Sequence, residues 1–141
     1  MTRIYWDSML FIYMLEGNPI FGPKVHKILN RIVSRGDALS TSVFSIGEIL
    51  TGPRRRGSIS GADAVKTYLL SGAVEILPFT EATADRYSVI RGANKVSQAD
   101  GIHLATAAEA GVDVFVTNDG DLRKLTIPGI KFFADLDGRM F

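Results

Sequence analysis

Apolar residues along this chain fall into short runs separated by turn signals, and the runs alternate between strand-like and helical patterns. Arg3 to Trp6 reads as a short strand that ends at Asp7. Ser8 to Glu16 reads as a helix closed by Gly17-Asn18-Pro19, which supply a turn and a stop. In Pro23 to Ser34, Val25, Ile28, Leu29 and Ile32 recur at helical spacing, and Gly36 ends the segment. Ala38 to Thr41 is a second strand, followed by a helix from Phe44 to Leu50 that Gly52-Pro53 should stop. Ala62 to Leu70 is a further helix ending near Gly72, and Val74 to Leu77 a third strand. Thr80 caps a helix running to about Gly92, and Ser97 caps an Ala-rich helix that ends at Gly111. Val112 to Val116 is the fourth strand, and Ile130 to Phe133 a short fifth.

Strands separated by helices imply crossover connections, hence a central parallel sheet of four to five strands with helices on both faces. Ligands on such sheets bind beyond the carboxyl ends of the strands. The alternation shows no internal repeat, low-complexity tract or long linker, so residues 1–141 read as a single domain.

Composition narrows the class only a little. Hydrophobic residues make up 46% and charged residues 22%, an ordinary globular balance. Sixteen basic and 15 acidic residues leave a net charge of +1, so any nucleic-acid affinity must come from how charge is distributed. Without cysteine there is neither a disulfide nor a thiolate metal site. The apolar run Met9 to Leu15 is too short to span a membrane. Asp7 before it, Glu16 after it and the lack of a small-residue cleavage site argue against a signal peptide, so the expected location is the cytoplasm.

Charge changes the picture at the strand ends. Asp7 and Asp119 each lie just past a strand, and the topology can bring both to one rim. Glu48 and Asp100 sit near the starts of helices, among apolar or small residues. Each has a local explanation. Ser45-Ile46-Gly47-Glu48 and Ser97-Gln98-Ala99-Asp100 both match capping-box spacing, Asp119 can cap a helix starting at Gly120, and Asp7 can cap the helix from Ser8. Together, however, such carboxylates would repel: a like-charged pair about 4 Å apart costs roughly 4 kcal/mol at an effective dielectric near 20. A cation would relieve that cost. An all-oxygen set suits Mg²⁺ or Mn²⁺, and such ions can promote phosphodiester hydrolysis. His26 and His103 stand alone in the chain and read as surface or helix-face residues rather than ligands.

Three stretches carry a resemblance: "YWDSMLFIYMLEG", "TSVFSIGEILTG" and "QADGIHLATAAEAGVDVFVTNDGDL". In order and spacing, and over essentially the whole chain, they resemble a PIN-domain ribonuclease, specifically the VapC-like toxins of toxin–antitoxin pairs. The resemblance implies a Rossmann-like PIN domain, Mg²⁺- or Mn²⁺-dependent endoribonuclease activity, a cognate antitoxin and assembly as a homodimer. It implies Asp7, Glu48, Asp100 and Asp119 as catalytic and metal-binding acids, supported by Ser8, Thr117 and Asn118. Two departures are visible: Met9 and Leu10 where smaller aliphatic residues are common, and Gly101 where Ala is usual.

Asp119, nearer the strand end, is the expected site ligand. Asp121 is expected in the first turn of the following helix, mainly as support and close enough to reach a metal through water. Pro53-Arg54-Arg55-Arg56-Gly57 reads either as a solvated loop or as a phosphate-contacting edge, with Arg54, Arg55 and Arg56 as RNA-binding residues. Arg91, Lys95, Arg123 and Lys124 can extend that patch. A haloacid-dehalogenase-type phosphatase would need a second Asp where Met9 stands. A phospho-accepting receiver would need an Asp where the third strand ends in Leu77-Pro78-Phe79. A PIN module that binds without cutting remains the alternative.

Overall fold

A computed structural model describes residues 1–137; the last four residues of the expected 1–141 domain lie outside the described residues. The elements are β1 (Arg3–Trp6), α1 (Ser8–Leu15), α2 (Gly22–Arg35), β2 (Ala38–Ser42), α3 (Val43–Arg55), α4 (Ile59–Leu69), β3 (Glu75–Leu77), α5 (Glu81–Ala93), α6 (Gln98–Ala110), β4 (Val114–Val116), α7 (Gly120–Arg123) and β5 (Phe132–Ala134). All strand pairs are parallel, in the order β3-β2-β1-β4-β5. This is the α/β architecture that the alternation of elements predicts.

Alternation along β1 builds the core. Ile4 and Trp6 face one apolar cluster with Leu10, Phe11, Val25 and Ile28, whereas Tyr5 faces the other with Leu104, Val112 and Phe115. Strand β4 repeats this, with Val114 and Val116 on the first side and Phe115 on the second. Burial on both faces is why the strands read as near-continuous apolar runs. The apolar faces of α1 and α2 are largely consumed by this core: Leu10, Phe11, Met14, Val25, Ile28 and Ile32 are all buried.

Two boundaries differ in instructive ways. Gly52-Pro53 does not stop α3, which continues to Arg55. A proline in the last turn forfeits a single backbone bond, and here its ring is buried against α4. The helix ends instead at Gly57, in the left-handed region at φ 65°, with Gly57 N donating to Arg54 O and Ser58 N to Pro53 O. The arginine run is therefore a helical last turn rather than a loop. Strand β5 begins two residues later than expected because Ile130 N is engaged in a turn with Ile127 O.

Candidate active site

Strands β1 and β4 are neighbours whose connections leave in opposite directions across the sheet, and a crevice opens where strand order reverses. Trp6 pairs with Val116, so the residues that follow, Asp7 and Thr117, emerge side by side. Thr117 is buried, and its hydroxyl donates to Asp7 Oδ2 at 2.9 Å and accepts from Asp119 N at 3.1 Å. Asp7 also caps α1, with Oδ1 accepting from Met9 N at 3.2 Å. Asp119 caps α7, with Oδ1 accepting from Asp121 N at 2.9 Å and Leu122 N at 3.4 Å. Arg123 Nη1 donates to Thr117 O at 3.0 Å, tying the turn to its helix.

Asp100 joins this rim from the first turn of α6. Ser97 accepts from Asp100 N at 3.1 Å, but no bond returns from the Asp100 carboxylate, so only half of a capping box forms. Asp7, Asp100 and Asp119 line one cleft of about 220 Å³ together with Met9, Tyr13, Thr117 and Asn118. For Asp7 and Asp119, then, capping and cleft-lining coexist. Burial pushes the Asp7 carboxyl above its usual range, against the lowering influence of the His103 charge, the Thr117 bond and the α1 backbone amides.

Glu48 is placed differently. Its capping explanation fails, because Ser42 caps α3 and Ser45 is buried against Thr41, with their hydroxyls 2.7 Å apart. The Glu48 carboxylate meets His103 Nε2 at 2.6 Å. Burial raises the Glu48 carboxyl, but the His103 hydrogen bond and charge, with the Ser8 hydroxyl, bring it below its usual range. His103 is thus neither isolated nor superficial: it is buried, and its Nδ1 lies 2.6 Å from the Tyr5 hydroxyl. Nothing in local periodicity marks it, since its partners lie 55 and 98 residues away along the chain. His26 is exposed, as expected.

Other expected residues fall outside the cleft. Asp121 occupies the first turn of α7, its side chain 95% exposed and 3.8 Å from Lys124 Nζ. Arg54, Arg55 and Arg56 lie at the far end of α3 from Glu48, about 10 Å along the axis at 1.5 Å per residue. Arg56 pairs with Glu16 at 2.8 Å, while Arg54 and Arg55 are exposed. Arg91 is folded onto Tyr87 and Val96, and Lys95 is exposed. Gly101 has a packing reason: a Cβ there would lie 2.9 Å from Tyr87 Cε2 and 3.0 Å from Arg91 Cγ.

The donor set fits a hard divalent cation. Among the described residues no three acidic or histidine side chains close on a single point. Asp7 and Asp119 bond the backbone amides of their own helix starts instead. Mg²⁺ does not require a closed cage, since it keeps several waters and is held by one or two carboxylates. Three carboxylates around an open cleft meet that need, and the half-buried Asp7, whose ionisation is opposed by desolvation, would gain most from a neighbouring positive charge.

The PIN domain family model matches residues 4–128. No curated protein matches the chain in sequence. Among solved structures it is similar to VapBC2 from Rickettsia felis, bound to a DNA fragment from their promoter, with a TM-score of 0.77 at 14% identity, covering 95% of this chain and 98% of that one. It is similar to VapBC-1 from nontypeable Haemophilus influenzae, with a TM-score of 0.71 at 19% identity, covering 96% and 98%. It is also similar to VapC20 from Mycobacterium tuberculosis, a sarcin-ricin loop cleaving toxin, with a TM-score of 0.65 at 20% identity, covering 84% and 91%.

Proposed function

The chain belongs to the PIN domain family, and from that premise we propose that it is a metal-dependent ribonuclease and the toxin of a toxin–antitoxin pair. The observation that carries the enzymatic part is the meeting of Asp7, Asp100 and Asp119 in one cleft where strand order reverses. In this reading those three carboxylates hold Mg²⁺ or Mn²⁺, Glu48 joins them from the margin of the cleft, and Asp121 reaches the ion only through water. A bound ion would supply positive charge at the scissile phosphodiester and ease formation of the attacking hydroxide.

The chain's own groups orient the acids. Thr117 fixes one Asp7 oxygen and the Asp119 amide together, so the two strand ends act as one unit. The α7 cap holds one Asp119 oxygen and leaves the other available. In the same reading the exposed Arg54 and Arg55 meet backbone phosphates of an RNA that extends past the cleft. Neutralisation by a protein antitoxin draws support from the resemblance to VapBC complexes, and a homodimer belongs to the same reading.

Mg²⁺-dependent cleavage of total RNA, lost with EDTA and with Asp7→Asn, is the expected result. RNA left intact in both Mg²⁺ and Mn²⁺ would favour the second reading, a PIN module that binds without cutting. That reading draws on Glu48 being turned toward His103. For the toxin role, expression of the chain alone should arrest growth; harmless expression of an active nuclease would sink it.

A further inference from the structure

We propose that His103 is a positioning residue that fixes the Glu48 carboxylate at the margin of the acid cleft, with Tyr5 fixing His103 in turn. The proposal rests on the metal-nuclease reading of the cleft. Its basis is a chain of buried contacts that joins three elements. Tyr5, on β1, is 0% exposed, and His103, on α6, is 3% exposed. The Tyr5 hydroxyl lies 2.6 Å from His103 Nδ1, and His103 Nε2 lies 2.6 Å from Glu48 Oε1 on α3. The imidazole is wedged between two ring edges, with centroids 5.9 Å from Tyr5 and 5.8 Å from Phe44.

Both ring nitrogens are therefore engaged by a polar partner. Facing an ionised carboxylate, Nε2 must carry a proton and donate it. Thr41 donates to Trp6 O at 2.7 Å, so in the 2.7 Å Thr41–Ser45 contact Ser45 is the donor, which braces the layer beneath Tyr5. A ring flip would put carbon against both Tyr5 and Glu48.

Without this partner Glu48 would be a flexible side chain on a helix surface, free to sample many rotamers. With it, and with the Ser8 hydroxyl as a further donor, the carboxylate is confined next to the residue that follows Asp7. Hydrogen-bonded partners of metal-site groups typically change metal affinity by about 10–100-fold when removed.

A merely structural histidine would satisfy the same packing, so the test separates the two roles. Mn²⁺ binding is measured by calorimetry, and cooperative melting without metal is followed, for the wild type, His103→Phe, His103→Gln and Tyr5→Phe. Glutamine can donate to Glu48 and accept from Tyr5; phenylalanine can do neither. His103→Phe should weaken Mn²⁺ binding by ~10–100-fold. His103→Gln should stay close to the wild type, and Tyr5→Phe should fall between. His103→Phe binding like the wild type, or His103→Gln binding as poorly as His103→Phe, would overturn the proposal. If His103→Phe does not melt cooperatively, the judgement passes to ¹⁵N NMR of the wild type, where a His103 Nε2 without its proton overturns it. Failure of the wild type itself to take up Mn²⁺ would end the metal reading instead. Positioning is then read from the Glu48 carboxyl ¹³C signal, which should move in Tyr5→Phe and hold in His103→Gln; an unmoved signal in Tyr5→Phe rejects it.

Discussion

The rim where β1 and β4 end and the last turn of α3 both concentrate like charge, yet the chain treats them in opposite ways. At the rim, Asp7 is held by a buried threonine, a helix cap and a strand on either side, and its burial works against its own ionisation. At the end of α3, Arg54 and Arg55 project into solvent and Arg56 is neutralised by Glu16. Cations near a helix C-terminus are favoured by its dipole, so the arginines there carry little strain. Carboxylates gathered at a rim do carry it. Charge that is tolerated tells little about function, whereas charge that is held at a cost calls for a partner that relieves it.

The largest test of that contrast is Asp7→Asn. Even outer partners of metal sites change activity by about 10–100-fold, so losing this carboxylate should remove cleavage by at least that much. Asp100→Asn should do the same. The metal-free fold should not suffer. With its folded pKa raised, Asp7 contributes stability that is full below the usual carboxylate range and lost as pH rises through the folded value. At neutral pH metal-free Asp7→Asn should therefore melt level with or above the wild type, and the gap should close as pH falls into the acid range. Mn²⁺ should raise the wild-type melting temperature, with about 2.7 kcal/mol of stabilisation at a hundred times Kd, and leave Asp7→Asn unmoved. A metal-free Asp7→Asn that melts well below the wild type would break the contrast, because the rim would then be ordinary structure.

The next test stays within the rim. Asp119→Asn should cost far more activity than Asp121→Asn at saturating Mg²⁺ and should raise the Mg²⁺ requirement. Asp119 lines the cleft and shares Thr117 with Asp7, whereas Asp121 points to solvent beside Lys124. Asp121→Asn should appear only as a small loss of stability, about 0.3–1 kcal/mol from the α7 N-terminus. Reversed activity losses would move the fourth acid to Asp121.

Much of this rim was legible in the chain because its signals are local. A strand that ends in an acid and a turn opened by Thr117-Asn118-Asp119 can be read within a few residues, and parallel pairing then does the assembly. What escaped was either long-range or a failure of a local rule. The His103 contacts to Tyr5 and Glu48 join residues that no periodicity connects. Ser45-Ile46-Gly47-Glu48 has capping-box spacing, but Ser42 starts the helix earlier and turns Ser45 inward to Thr41. Gly52-Pro53 looks like a stop, but burial of the ring outweighs one missing backbone bond.

The smallest effects should come from the arginine turn, and they should divide. Arg54→Ala with Arg55→Ala should weaken RNA binding and flatten its salt dependence, since each phosphate contact to a single strand contributes about −0.7 to the log–log slope. Melting should hardly change, because both side chains are exposed. Arg56→Ala should behave in the opposite way. Its guanidinium meets Glu16 at 2.8 Å, joining the end of α3 to the end of α1, with side chains 57% and 40% exposed. A pair so open to solvent is worth about 0–1 kcal/mol, so the loss of stability should be small, fade in high salt and be matched by Glu16→Gln. The RNA salt slope should barely move, because the charge removed was already balanced by Glu16. Measuring slope and melting together on both variants separates the roles: a slope that falls as much for Arg56→Ala as for either neighbour would mean that RNA displaces Glu16, and the turn would then act as one cationic edge.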